Sequence, residues 1–140
     1  FFDLISMEKN ITNDKLYGSQ VAYIPFEGAN IGDTINSTFF GALNINKIVR
    51  ISYVPEISII GSSINHMQLQ IIHDPSGKIL STKTFVDEIS CEQRLVFDFG
   101  PVNPTLATLA AGESLRLVKQ DVGTGMILPR GVLIIQWDIA

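Results

Sequence analysis

The only two histidines, His66 and His73, stand seven residues apart in a stretch where polar and apolar side chains alternate. In an extended strand an odd separation puts them on opposite faces, about 23 Å apart by strand rise, so they cannot share a metal ion. His73 is followed by Asp74, but neighbouring strand residues point apart, and the pair reads as a solvated hairpin end rather than an acid/base couple. Carboxylates recur as Asp87, Glu88 and Glu92 around one loop and singly at Asp98, Glu113 and Asp121. A calcium loop needs several oxygens converging from one compact segment, and EF-hand spacing is missing. Nothing singles out two of these carboxylates as a glycosidase pair. No serine lies in a Gly-x-Ser-x-Gly turn. Cys91 is the only cysteine, which excludes an internal disulfide, and beside Ser90 and Glu92 it reads as a partly buried structural thiol.

Gly123-Thr124-Gly125 resembles a phosphate loop only superficially. The third glycine, the following Lys-Ser or Lys-Thr and the helix that would present its amides are missing, so the segment reads as a turn requiring positive φ. Trp137 with Tyr17, Tyr23 and Tyr53 could form a sugar-stacking platform, although single aromatics spread along a sandwich are more often core. Asn10-Ile11-Thr12 and Asn36-Ser37-Thr38 fit the glycosylation acceptor pattern, which occurs often by chance. The expectation is therefore a chain without catalytic, cofactor-binding or metal-ligating residues, and not an enzyme.

At 140 residues one domain is the default, with enough chain to bury about two-thirds of its unfolded surface. Charged residues are only 17%, against roughly 25% in typical soluble domains. So little charge on a small domain implies that part of the surface is covered by a subunit or partner. The net charge of −4 and the scattered basic residues argue against a nucleic-acid groove. No apolar run approaches the roughly 20 residues of a membrane span. The chain begins at Phe1 rather than Met, which leaves room for a longer or processed precursor, and its first ten residues lack the pattern of a signal peptide.

The elements that must position any site read as strands. Met67, Leu69, Ile71 and His73 alternate with Gln68 and Gln70 before Asp74-Pro75-Ser76-Gly77, and residues 79–86 return as the second hairpin arm. Proline at the second and glycine at the fourth position suit a type I turn. Residues 46–54 place Val49, Ile51 and Tyr53 on one parity, and Pro55 ends the strand. Residues 94–99 place Leu95, Phe97 and Phe99 on one face and Arg94 and Asp98 on the other. In residues 114–120, Leu115 and Leu117 point inward and Arg116 outward. Residues 132–137 are apolar on both parities, as in a central strand or one covered at an interface. Weaker strands fall at residues 20–26 and 34–43, and residues 105–111 support a single helical turn at most. Residues 1–15 read as an N-terminal arm, and residues 16–140 as one all-β domain: an antiparallel, jelly-roll-like β-sandwich of seven to eight strands.

The order of VPE at residues 54–56, IIGSS at 59–63, HDPSGKIL at 73–80, AAGESLRL at 110–117, DVGTG at 121–125 and LPRGVLIIQW at 128–137 resembles small β-sandwich structural proteins of tailed bacteriophage virions, including capsid decoration or cement proteins. The resemblance covers residues 47–139 and brings no catalytic residues. It implies a non-enzymatic protein on the capsid exterior, bound to the major capsid protein of the same virion and assembled as a small homo-oligomer, with a trimer favoured. The alternative is a receptor-binding or carbohydrate-binding module at a tail or fibre tip. Val132, Ile134, Ile135 and Trp137 are the candidate interface residues.

Overall fold

Short β-branched and aromatic stretches separated by Gly, Pro, Asn and Asp favour strands over helices. In a computed structural model, which describes residues 19–139, they form β1 (Gln20–Phe26), β2 (Ile35–Gly41), β3 (Asn46–Pro55), β4 (Ile59–Ile60), β5 (His66–His73), β6 (Lys78–Thr84), β7 (Ser90–Cys91), β8 (Phe97–Asp98), β9 (Thr108–Leu109), β10 (Ser114–Val122) and β11 (Gly131–Ile139). The arm expected over residues 1–15 lies outside the described residues. One sheet runs β1-β11-β3-β8 and the other β2-β10-β5-β6, with β4 and β7 in a small ladder of their own. All pairings are antiparallel. Because β11 takes one side of β3 along its length, β8 and β9 share the other side as one interrupted edge strand.

The pairing is nested: the first strand pairs with the last and the second with the last but one. This is the jelly-roll topology, and it bears out the all-β sandwich expected from strand spacing. Strand β11 lies between β1 and β3, as its two apolar parities suggested. The core between the sheets holds Met67, Leu69 and Ile71 of β5, Leu115 and Leu117 of β10, Ile51 and Tyr53 of β3, and Leu133 and Ile135 of β11. Phe97 joins the sheets at their open side, with Phe85 and Tyr53 edge-on at 5.8 Å and Phe99 stacked at 6.3 Å.

Several parities change at bulges. Gln136 pairs with Arg50 and Trp137 with Ile48, so Val49 is the extra residue of β3. Val49 is turned out to solvent and Ile48 takes the inward place expected for it. In β6, Ile71 opposes Ser81 and Ile72 opposes Ile79. Leu80 is thus the extra residue, which is how Leu80 and Ser81, adjacent in sequence, are both buried. The hairpin loop is Asp74-Pro75-Ser76-Gly77 as expected, but its hydrogen bonds close one residue earlier. The His73 carbonyl accepts from Ser76 at 3.2 Å and Gly77 at 2.8 Å, with Gly77 at φ +71.

The strand expected over residues 94–99 shrinks to β8. Arg94 has φ +62 and Leu95 N–H bonds back to Glu92 at 3.2 Å, a turn that leaves Leu95 and Val96 exposed. Residues 105–111 form no helix: a turn closed by Leu106 N–H on the Asn103 carbonyl at 3.0 Å precedes β9.

Inward parity on β10 continues from Leu115 and Leu117 to Lys119, whose side chain is fully buried. Its ammonium donates to both Asp121 carboxylate oxygens at 2.7 and 2.9 Å and to the carbonyls of Asp33 at 3.0 Å and Asn30 at 3.4 Å. Asp121 in turn accepts from Gly32 N–H at 3.0 Å. This ion pair ties the β1–β2 loop to the second sheet. Breaking a buried pair from one side strands the other charge, whereas replacing the cation with an apolar chain of similar length does not. Asp121→Ala is therefore expected to cost about 3 to 5 kcal/mol in urea unfolding, and Lys119→Met clearly less; equal losses would contradict this account.

Candidate functional site

The two outer faces of the sandwich differ in chemistry. Outside the β2-β10-β5-β6 sheet, Gln68 donates to Thr84 at 2.9 Å, Gln70 donates to Gln68 at 2.6 Å and Arg116 pairs with Asp74 at 2.8 Å. That face follows the usual rule for an antiparallel sheet, apolar inward and polar outward. Outside the β1-β11-β3 sheet the rule fails. Register places Pro25, Val132 and Val54 in one cross-strand row, Tyr23, Ile134 and Ser52 in the next, and Val21, Gln136 and Arg50 in the third. Tyr23 is 69% exposed and Val21 43%. The turn at Arg94 brings Val96, 59% exposed, up as a side wall over Ile134 and Gln136. A hollow of about 330 Å³ lies there, and a second cleft of about 370 Å³ opens at the Pro25–Val132–Val54 end.

Charged groups frame this strip. Arg50 makes a two-pronged contact with Asp98, Nε at 2.9 Å and a terminal nitrogen at 2.7 Å, while Ser52 Oγ donates to the same carboxylate at 2.6 Å. The Arg50 hydrogen bond foremost, with help from Ser52, holds the Asp98 carboxyl below the usual carboxylate range. The same contact raises the Arg50 guanidinium. At the cleft, Arg130 meets Glu56 at 3.4 Å. Tyr53 donates from the core to the Pro129 carbonyl at 2.7 Å, anchoring the segment that carries Arg130. Burial, and secondarily Glu56, pushes the Tyr53 phenol up. Gly131 is required where it stands, because a Cβ there would lie 2.0 Å from the Val54 carbonyl oxygen.

Of the four residues expected at an interface, the structure brings two to this surface. Val132 and Ile134 form its floor. Ile135 is fully buried in the core, and Trp137 packs inward against Phe40 with ring centroids 5.0 Å apart. Their parity separates them: alternate residues of β11 face alternate sides, and over residues 132–135 both sides are apolar. Tyr53 is likewise taken by the core, Tyr17 lies outside the described residues, and Tyr23 alone stands exposed, so no shared aromatic platform forms from Tyr23, Tyr53 and Trp137. His73 is buried, its Nδ1 2.8 Å from Ser76 Oγ, on the parity opposite His66. Asp87, Glu88 and Glu92 are exposed. Glu113 accepts from Ala110 N–H at 2.9 Å. No group of three His, Cys, Asp or Glu among the described residues is placed to hold a metal. Cys91 is buried and burial pushes its thiol up. Gly123 and Gly125 have φ +66 and +82, the turn geometry expected, and Thr124 N–H donates to Asn65 Oδ1 at 2.9 Å.

Val21 and Val96 belong to the surface and were not visible as such in the sequence, whereas Arg94 was expected to face outward and Tyr23 was a candidate for an exposed platform, but not on one shared surface. The uncharged run 20–26 was a partial signal.

Neither a protein-family model nor a curated protein sequence matches the chain. Among solved structures, the chain is similar to one of infectious bursal disease virus, Gx strain, at 12% identity and a TM-score of 0.37, over 86% of this chain and 32% of that one. The chain thus spans less than a third of that protein's length. A likeness of this degree carries no functional argument, and the jelly-roll assignment rests on strand pairing alone.

Asp98 and Asp74, the latter lowered chiefly by its hydrogen bond from Arg116, ionise more readily in the folded chain than in the unfolded one. Their contribution is present above the unfolded carboxylate value of about 4 and is lost as pH falls through the lower folded value. Thermal unfolding followed from pH 7 to pH 2 is expected to show Tm falling below about pH 4. Asp98→Asn should lower Tm at pH 7 and shallow that fall, and 1 M salt should shrink the effect because both partners are half exposed. An unchanged acid limb in the variant would show that the Arg50–Asp98 pair contributes nothing to it.

Proposed function

We propose that this protein is a non-enzymatic structural component of a virion that works by binding, as a decoration or cement protein on the exterior of a capsid shell. The observation that carries the proposal is the contrast between the outer faces: one solvated by a glutamine and threonine network, the other an apolar strip of Val21, Tyr23, Pro25, Val132 and Ile134. An antiparallel sheet leaves its outer face polar when water is its neighbour, so the strip is read as a contact surface for the major capsid protein. The low charge content and the resemblance of the motif order to tailed-phage virion proteins support the same reading. Spanning neighbouring capsid subunits stabilises the shell by mass action, because the bound form exists only while the lattice is intact. A small cyclic oligomer, a trimer on this reading, multiplies the contact through avidity.

A second reading rests on Tyr23 alone. One exposed aromatic face on a jelly roll suits stacking on a sugar, as in a receptor-binding module at a tail or fibre tip.

Rebinding to capsids stripped of the protein separates the two. Ile134→Asp is expected to weaken rebinding at least about tenfold with the chain still folded and a far smaller loss of Tm than Ile135→Asp at the fully buried neighbouring position, since Ile134 faces away from the core. Unaltered rebinding, or a monomer mass by light scattering at micromolar concentration, would count against the contact face or the oligomer respectively. Glycan or host-cell binding lost in Tyr23→Ala, with no affinity for shells, would favour the second reading.

A further inference from the structure

We propose that the cleft at the Pro25–Val132–Val54 end of the outer face recognises a carboxylate carried on an apolar peptide segment of a protein partner, with Arg94 as the group that binds the carboxylate. The inference rests on the reading of this face as the contact surface and adds the chemistry of what is held there.

Arg94 differs from the other arginines. Arg50, Arg116 and Arg130 each meet a carboxylate, at Asp98, Asp74 and Glu56, whereas the Arg94 side chain makes no ion pair or hydrogen bond among the described residues. Its backbone is the second sign. At φ +62 it occupies the left-handed region, where glycine or asparagine would be accommodated at lower cost. It is locked there by its N–H to the Pro55 carbonyl at 2.7 Å and by Gln93 N–H to Ser58 Oγ at 2.9 Å. A long charged side chain on a strained, fixed backbone at the rim of a cleft is the pattern found at binding sites.

The cleft supplies the rest. Its volume of about 370 Å³ holds one or two side chains, and Val54 and Val132 give it an apolar floor. Arg94 approaches from the β3 side through its bond to Pro55, while Glu27 follows the end of β1 on the far side of β11. Glu56 and Arg130 also line the cleft but engage each other, which leaves Arg94 and Glu27, on opposite sides of β11, as the lining charges without an ion partner among the described residues. A segment lying over Val132 with its carboxylate at Arg94 brings backbone N–H groups or a basic side chain towards Glu27. A guanidinium meets a carboxylate through two parallel hydrogen bonds, and apolar neighbours of that carboxylate would bury against the valines.

The test uses the full chain, ¹⁵N-labelled, titrated at low salt with N-acetyl-valyl-phenylalanine as the free acid, with its C-terminal amide, and with acetate. The acid is expected to shift the Arg94 Nε–H and Gly131 N–H signals and to bind about fivefold or more tighter than the amide, while acetate gives no saturable shift. Arg94→Gln should erase the preference for the acid. Arg94→Gly should erase it too while leaving Tm unchanged or raising it by about 2–4 °C as the strain is relieved, so that the loss of preference cannot be put down to unfolding; an acid preference that persists in Arg94→Gly would show that the side chain serves only the turn. Equal binding of acid and amide, or shifts confined to other parts of the surface, overturns the proposal. If capsid rebinding fails but the acid preference stands, the virion reading falls and the carboxylate site survives. If Ile134→Asp abolishes rebinding while acid and amide bind alike, the contact face survives and the carboxylate site falls.

Discussion

Strand β11 is hydrogen-bonded on both sides, to β1 along seven residue pairs and to β3 along nine, and the rest of the molecule depends on that double ladder. A strand flanked in this way cannot rotate or slip without breaking two sets of backbone bonds, and a one-residue slip would exchange its faces. Its alternation therefore commits Leu133 and Ile135 to the core and Val132 and Ile134 to the outside together. The same backbone that closes the jelly roll also presents the candidate contact surface. The surface inherits the rigidity of the sheet, which is what a binding face needs if little ordering entropy is to be lost on association.

Charge is spent sparingly and locally. The buried Lys119–Asp121 pair holds the β1–β2 loop against the second sheet, where a free ammonium could not exist without partners. Arg50 and Asp98 close the interrupted β8 edge, and Ser52 beneath them satisfies the same carboxylate. Such edges are open to unwanted pairing in β proteins. The β8 edge is guarded by this ion pair, while at the opposite side of the sandwich Pro25 removes a donor from β1 and the bulge at Phe39 disrupts β2.

A jelly roll hosts capsid, lectin and enzymatic proteins alike, so the fold narrows function little. What separates the readings is the chemistry of individual positions. Two sheets of one sandwich, equally able to carry polar outer faces, carry opposite ones, and the apolar one has a shaped wall at Val96 and, at Arg94, a guanidinium without an ion partner among the described residues. Binding through a face of this kind requires no catalytic group and follows from area, shape and a few charges.

Alternation in the sequence determined the strands and much of their sidedness. The 67–73 hairpin arm, Leu115 and Leu117, and the central place of residues 132–137 all follow from period-two patterning, because side chains of an extended chain must alternate. The turn role of Gly123 and Gly125 was legible for the same local reason. Tertiary structure alone decided the rest. An extra residue at Val49, Leu80 or Phe39 reverses parity without any mark in composition, since a bulge depends on the register of two strands distant in sequence. Parity puts Lys119 inward with Leu115 and Leu117, but only the β1–β2 loop, distant in sequence, supplies the carbonyls that let an ammonium lie there. Which side of β11 faces the core is marked in β11 only at its end, where Gln136 and Asp138 fall on the outer parity; over residues 132–135 both parities are apolar, and there only the second sheet, by covering Leu133 and Ile135, left Val132 and Ile134 outside.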